Sequence, residues 1–135
     1  MSFEEAVIYS DGGSRGNPGI AGIGVSIQDK EGNIIKEISQ YIGEQTNNVA
    51  EYKALSRGLE VAFDLGIKKV TCYLDSELVV KQIKGEYKVK NEGMVTMYNM
   101  VMPLIKKFNS FEIIHIRREL NKRADQLANE AMDKR

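Results

Sequence analysis

The sequence predicts an α/β domain: a five-stranded mixed sheet with helices on both faces. Three observations lead there. Up to Tyr41, apolar residues alternate with small or polar ones and are broken by Gly- and Asp/Asn-rich turns, as in hairpin-linked strands. From Asn48 the apolar spacing becomes that of an amphipathic helix. Beyond it, short apolar runs alternate with helical stretches, which implies right-handed crossovers between parallel strands.

The elements follow in order. Residues 6–10 read as a short buried strand ending at Asp11, and the glycine-rich stretch 12–19 as a turn. Residues 20–28 form the second strand, 29–33 a hairpin turn and 34–41 the returning strand, so the first three make an antiparallel meander. In residues 48–65, Tyr52, Leu55, Leu59, Ala62 and Phe63 line one helical face, and Gly66 ends the helix as a C′ residue. Residues 69–74 are the fourth strand, 76–83 a short helix, and 84–93 a polar connection. Residues 94–108 form a helix despite Pro103, 111–116 the fifth strand and 121–132 the last helix. The first, fourth and fifth strands are expected to be parallel. No linker, repeat or low-complexity stretch interrupts the chain, so residues 1–135 are expected to be a single domain.

Composition narrows the function classes. No apolar run approaches the ~20 residues that span a membrane. The start, Met1-Ser2-Phe3-Glu4-Glu5, is acidic and lacks the basic-then-apolar form of a secretion signal. A single cysteine, Cys72, excludes an internal disulfide framework and suits a reducing compartment. The expectation is a monomeric cytoplasmic protein. Net charge is zero, but its distribution is uneven: residues 1–80 carry 7 Lys/Arg and 12 Asp/Glu, whereas residues 81–123 carry 10 and 4. An acidic half beside a basic segment suits a polyanion held next to a metal-binding patch, although solvated helix faces would give the same count.

Four acids stand out. Ligands of open α/β sheets gather at the carboxyl ends of parallel strands. Asp11 and Asp75 directly follow the first and fourth strands; if those strands are neighbours, both carboxylates sit at one edge, within reach of one cation. Glu51 lies in the first turn of its helix, on the face of Leu55, Gly58 and Ala62. Asp125 lies one turn into the last helix beside Ala124 and Ala128. Each has an ordinary alternative: a turn residue for Asp11, a helix N-cap for Asp75, a capping box with Asn48 as N-cap for Glu51, a surface acid for Asp125. Together they form an oxygen-only set. Such carboxylates repel one another unless cations are bound, and oxygen donors suit Mg²⁺ or Mn²⁺ over zinc. Two such ions can stabilise both the attacking and leaving oxygens of a phosphoryl displacement.

Four strings carry a family resemblance: Tyr9-Ser10-Asp11-Gly12-Gly13-Ser14-Arg15-Gly16-Asn17-Pro18-Gly19, Thr46-Asn47-Asn48-Val49-Ala50-Glu51, Leu74-Asp75-Ser76-Glu77 and Asn121-Lys122-Arg123-Ala124-Asp125. In order and spacing they resemble the motifs of type 1 ribonuclease H, over nearly the whole chain. The resemblance implies the ribonuclease H-like fold, with strand order 3-2-1-4-5, and Asp11, Glu51, Asp75 and Asp125 as catalytic ligands of two Mg²⁺ or Mn²⁺ ions. It implies endonucleolytic hydrolysis of the RNA strand of an RNA/DNA hybrid, leaving 3′-hydroxyl and 5′-phosphate ends. It further implies substrate contacts by Gly12, Gly13, Ser14, Asn17, Thr46, Asn47, Glu77 and Arg118. Of these, Asn17 and Asn47 resemble minor-groove residues beside the ribose 2′-hydroxyls, and Thr46 the residue holding a DNA-strand phosphate. The glycines Gly12, Gly13 and Gly16 are expected to let the backbone approach the RNA strand.

The chain departs from the best-known bacterial pattern in three places. The basic, tryptophan-bearing handle is replaced by the short stretch 84–93, whose Lys84, Lys88 and Lys90 are expected to contact phosphates instead. The loop histidine before the last aspartate is absent; Arg118 and Glu119 instead match the archaeal-like branch, and His115 falls inside a strand. Glu77 stands where the family often has Gln. Two other functions compete: a hybrid-binding module without catalysis, disfavoured by the full set of acids, and a related nuclease cutting double-stranded RNA or a DNA junction. Other signals fall away. The glycines of residues 19–24 precede a strand, unlike a dinucleotide loop, and Asp11-Gly12-Gly13 lacks the spacing of a calcium loop. Cys72 and the methionines Met94, Met97, Met100 and Met102 read as packing residues.

Overall fold

The computed structural model describes residues 4–135; Met1–Phe3, part of the acidic start, lie outside the described residues. The elements are β1 (Glu5–Gly16), β2 (Gly19–Gln28), β3 (Ile34–Gln45), α1 (Asn47–Asp64), β4 (Lys69–Leu74), α2 (Glu77–Ile83), α3 (Glu92–Ile105), β5 (Ser110–His115) and α4 (Lys122–Lys134), with one 3₁₀ turn at Arg118–Leu120 before α4. They form one five-stranded sheet of order β3-β2-β1-β4-β5. β1, β4 and β5 are parallel, and β2 and β3 antiparallel, as expected.

Two apolar layers hold the helices to the sheet. The main core joins Ile8, Val25, Leu55, Leu59, Leu74, Val79, Met97 and Val101, and so packs α1, α2 and α3 on one face. Ala124, Leu127, Ala128, Ala131 and Met132 are buried apart from it, under α4 on the other face. The alternation of β1 explains the division: Ile8 faces Gly58 of α1, and the next face belongs to α4.

Several boundaries differ from the sequence reading, each for a physical reason. β1 does not end before Asp11. From Asp11 to Gly16 it continues in register with β2, pairing Asp11 with Gly24 and Gly16 with Gly19, so the expected glycine-rich turn shrinks to Asn17-Pro18. β3 likewise runs on to Gln45, across a register shift opposite Ile20–Gly22 that Gly43 accommodates at φ 78°. The N-cap of α1 is Thr46, whose hydroxyl accepts from the Val49 amide at 3.3 Å; Asn48 is inside the helix. Glu51 is therefore the fifth helical residue, too far along for a capping box. Ser76, and not Asp75, caps α2. Asn91 caps α3, which begins two residues early and ends at Ile105, where Pro103 sits in the last turn. Gly66 ends α1 with φ 84°, as expected.

Candidate active site

The parallel register of β1 and β4 pairs Ser10 with Leu74, so Asp11 and Asp75 both come one residue beyond the last rung. Above them β1 continues only with β2, which leaves an open notch beside Asp11. Glu51 reaches this notch because α1 lies almost on the β1 backbone: a Cβ on Gly12 would overlap the Ala50 carbonyl. Gly24 gives α4 the same close approach, since a Cβ there would overlap the Ala124 carbonyl. That contact sets the next residue, Asp125, at the notch from the opposite face.

Carboxylate oxygens of Asp11, Glu51 and Asp75 lie within 4.8 Å of one another. Asp11 and Glu51 are buried, and Asp75 is half-buried. One Glu51 oxygen, Oε2, is buried without any hydrogen-bond partner. Burial, and then the Asp75 charge, push Asp11 up from 3.8 to about 8. Burial and the Asp11 carboxylate raise Glu51 well above its ordinary range. Asp75 is also raised by burial, against the pull of Asn121, Asp11 and the Arg118 guanidinium. Three clustered acids cannot all ionise here without a cation.

Asp125 lines the same cavity of about 330 Å³ but stands outside the tight three-acid group. Its carboxylate lies 3.6 Å from Arg118 Nη2. A second, larger cavity of about 530 Å³ lies between β3, α1 and α3; it is lined largely by apolar groups such as Ile42, Val49, Met97 and Met100 and has no cluster of acids.

The expected substrate residues divide. Gly12, Gly13, Asn47 and Arg118 line the acidic cavity. Ser14 and Asn17 sit at its edge, tied to α1: the Ser14 amide donates to Asn47 Oδ1 at 3.2 Å, and the Asn47 amide donates to Asn17 Oδ1 at 3.1 Å. Ser14 Oγ also donates to the Gln45 carbonyl at 2.8 Å, so the β1–β2 hairpin, β3 and the start of α1 form one polar ledge. Thr46 caps the helix there. Glu77 is not brought into the cavity; it faces Lys81 at 3.3 Å along α2. The missing side chain of Gly12 admits α1, a second use beside its place in the cavity wall; a Cβ on Gly13 would make only ordinary contacts, with Asn47 Oδ1 and the Met132 side chain.

The sequence reading gave Asn121 no role of its own. It is buried, and its Nδ2 donates to the Ser10 carbonyl at 2.9 Å, tying the start of α4 to the residue before Asp11. An asparagine opening the helix that carries the last acid was the available signal. His115 is exposed at the end of β5.

The chain matches the family model described as reverse transcriptase-like over residues 9–131. It is 42% identical over 130 residues to a bifunctional protein of Mycobacterium tuberculosis, covering 96% of this chain and 36% of that protein. The chain thus spans about a third of that relative's length. The crystal structure of RNase H1 from the archaeon Halobacterium salinarum is 39% identical, with a TM-score of 0.95, covering 97% of this chain and 99% of that one. LC11-RNase H1 in complex with an RNA/DNA hybrid is 47% identical, with a TM-score of 0.91, covering 96% and 97%. With the strand order, the acid cluster and these matches agreeing, the chain belongs to the type 1 ribonuclease H family.

Proposed function

We propose that this chain hydrolyses the RNA strand of RNA/DNA hybrids endonucleolytically, using two divalent metal ions and leaving 3′-hydroxyl and 5′-phosphate ends. The observation that carries the proposal is the cluster of Asp11, Glu51 and Asp75, with a buried Glu51 oxygen that no protein group satisfies. An orphaned carboxylate oxygen among acids of raised pKa fits a cation site, and the all-oxygen donor set fits Mg²⁺ or Mn²⁺. Asp11, Glu51 and Asp75 would hold these ions, with Asp125 completing the set from α4. When bound, the ions supply charge stabilisation to the attacking and leaving oxygens of the displacement.

The chain's own residues would bind and orient the substrate. On the ledge, the side-chain amides of Asn17 and Asn47, the latter held by the Ser14 amide, are suited to ribose 2′-hydroxyls, which distinguish RNA from DNA. Thr46, at the N-terminus of α1, is suited to a phosphate of the DNA strand. Arg118, largely exposed beside Asp125, is suited to a phosphate near the reacting bond. The hybrid bound by LC11-RNase H1 supports this substrate class. We further propose a monomer in a reducing, cytoplasmic setting, in keeping with the buried free thiol of Cys72; no described helix is long and apolar enough to cross a membrane.

The test is a panel of end-labelled hybrid, double-stranded RNA and double-stranded DNA with Mg²⁺, Mn²⁺ or EDTA. The expected result is metal-dependent cutting of the hybrid RNA strand alone. Cutting of double-stranded RNA in preference to hybrid would move the protein to the competing nuclease class.

A further inference from the structure

We propose that Tyr52 and Gln82 are positioning residues for nucleic-acid binding, holding the Lys84–Lys90 segment as a rigid phosphate-binding edge beside the acid cluster. The inference rests on the reading of the protein as a hybrid nuclease and deepens it.

The segment is exposed, and Lys84, Lys88 and Lys90 form no ion pair among the described residues. A free basic loop would sample many conformations, and fixing it on a polyanion would cost entropy. This one is fixed in advance. Tyr52, fully buried in α1, donates its hydroxyl hydrogen to Gln82 Oε1 at 2.6 Å. The other end of the buried Gln82 amide, Nε2, donates to the Lys88 carbonyl at 3.4 Å. Val89 then packs on the main core. A backbone carbonyl and a side chain are thus drawn inward on either side of one peptide, while Lys88 and Lys90 remain exposed. The near end is pinned as well: the Glu86 and Tyr87 amides both donate to the Lys81 carbonyl, at 2.9 and 3.2 Å.

The location suits a substrate contact. Tyr52 is the residue after Glu51, so one turn of α1 serves the acid cluster with one side chain and the lysine segment with the next. The segment leads into α3, whose Gly93 lies against Val49 in the first turn of α1, close to Asn47 of the polar ledge. A buried Tyr–Gln pair is also an expensive way to build a core, because an apolar pair of the same shape would need no partner. Its return is a fixed carbonyl beneath Lys88.

The test uses Tyr52→Phe, Gln82→Met and the double variant Lys88→Gln/Lys90→Gln. Binding to a hybrid is measured by fluorescence anisotropy in EDTA over a salt series, and KM and kcat are measured with Mg²⁺. Each lysine that contacts a phosphate contributes about 0.9 to the slope of log K against log salt, or roughly eightfold in affinity at 0.1 M salt. The lysine double variant is expected to flatten the slope by up to about 2. Gln82→Met should flatten it by about 1, raise KM and leave kcat near the parent value. Tyr52→Phe should do the same more weakly, and it covers the case in which Gln82→Met fails to fold. Combining Gln82→Met with the lysine variant should weaken binding no further than the lysine variant alone. An unchanged slope in folded Tyr52→Phe and Gln82→Met, or in the lysine variant, would overturn the proposal, as would fully additive losses. A parent protein that neither binds nor cuts the hybrid would instead overturn the functional reading.

Discussion

Replacing Asp11 by Asn should stabilise the metal-free protein while removing its activity. Burial and the Asp75 charge hold Asp11 at about 8 in the fold, against 3.8 as its ordinary value. Between those two values the folded state carries a proton that the unfolded chain has released, so stability falls as pH rises through this window and levels off above it. At pH 7 the difference corresponds to about 4 kcal/mol at most. Asn keeps the shape and carries no charge. Its amide hydrogens must find acceptors among the neighbouring oxygens, which offsets part of the gain, leaving about 1–3 kcal/mol. For a chain of this size that is a rise of about 4–10 °C in Tm. The assay is thermal unfolding by circular dichroism in EDTA at neutral and acidic pH. Near pH 3 the gain should vanish, because both states are then largely protonated. A variant no more stable than the parent at pH 7 would refute the claim that an uncompensated acid cluster strains the metal-free fold.

Three further outcomes are expected. Cation affinity, followed by calorimetry with Mg²⁺ or Mn²⁺, should rise with pH up to about 8, since the cation must displace the Asp11 proton; a flat profile would contradict the raised acid. Gly12→Ala should cost about 3 kcal/mol or more in denaturant unfolding, because the new Cβ meets the Ala50 backbone and not a movable side chain; parental stability would show that α1 can shift freely. Asn121→Ala should cost about 1–3 kcal/mol by leaving the Ser10 carbonyl buried and unpaired, and should lower kcat by loosening α4 beneath Asp125; wild-type unfolding and turnover together would deny it a positioning role.

Much of this was legible in the sequence because it is periodic. The change from alternation to helical spacing at Asn48 gave the meander and α1, and Asp11 and Asp75 flanking apolar runs gave their shared edge. What stayed hidden depends on partners distant in sequence. β1 runs past Asp11 because β2 supplies its ladder bonds, which residues 12–16 alone do not announce. Thr46 is the N-cap in place of Asn48 because the helix begins at Asn47, which puts the Thr46 hydroxyl within reach of the free Val49 amide. The packing demand on Gly12 comes from α1, some forty residues away in sequence, and so escaped a reading centred on the substrate. Glu77 belongs to the recognised motif, yet at this helix position it turns toward Lys81.

The central claim is that the carboxylate cluster at the β1–β4 edge works as a metal site for cutting hybrid RNA. Single-turnover cleavage of a labelled RNA/DNA hybrid in Mg²⁺ by the parent and by Asp75→Asn tests it most directly, with circular dichroism confirming the fold of both. The account predicts 5′-phosphate fragments from the parent, none when EDTA replaces the metal, and no detectable cutting by the folded variant. Near-parental cleavage by Asp75→Asn, or cutting by the parent in EDTA, would contradict it.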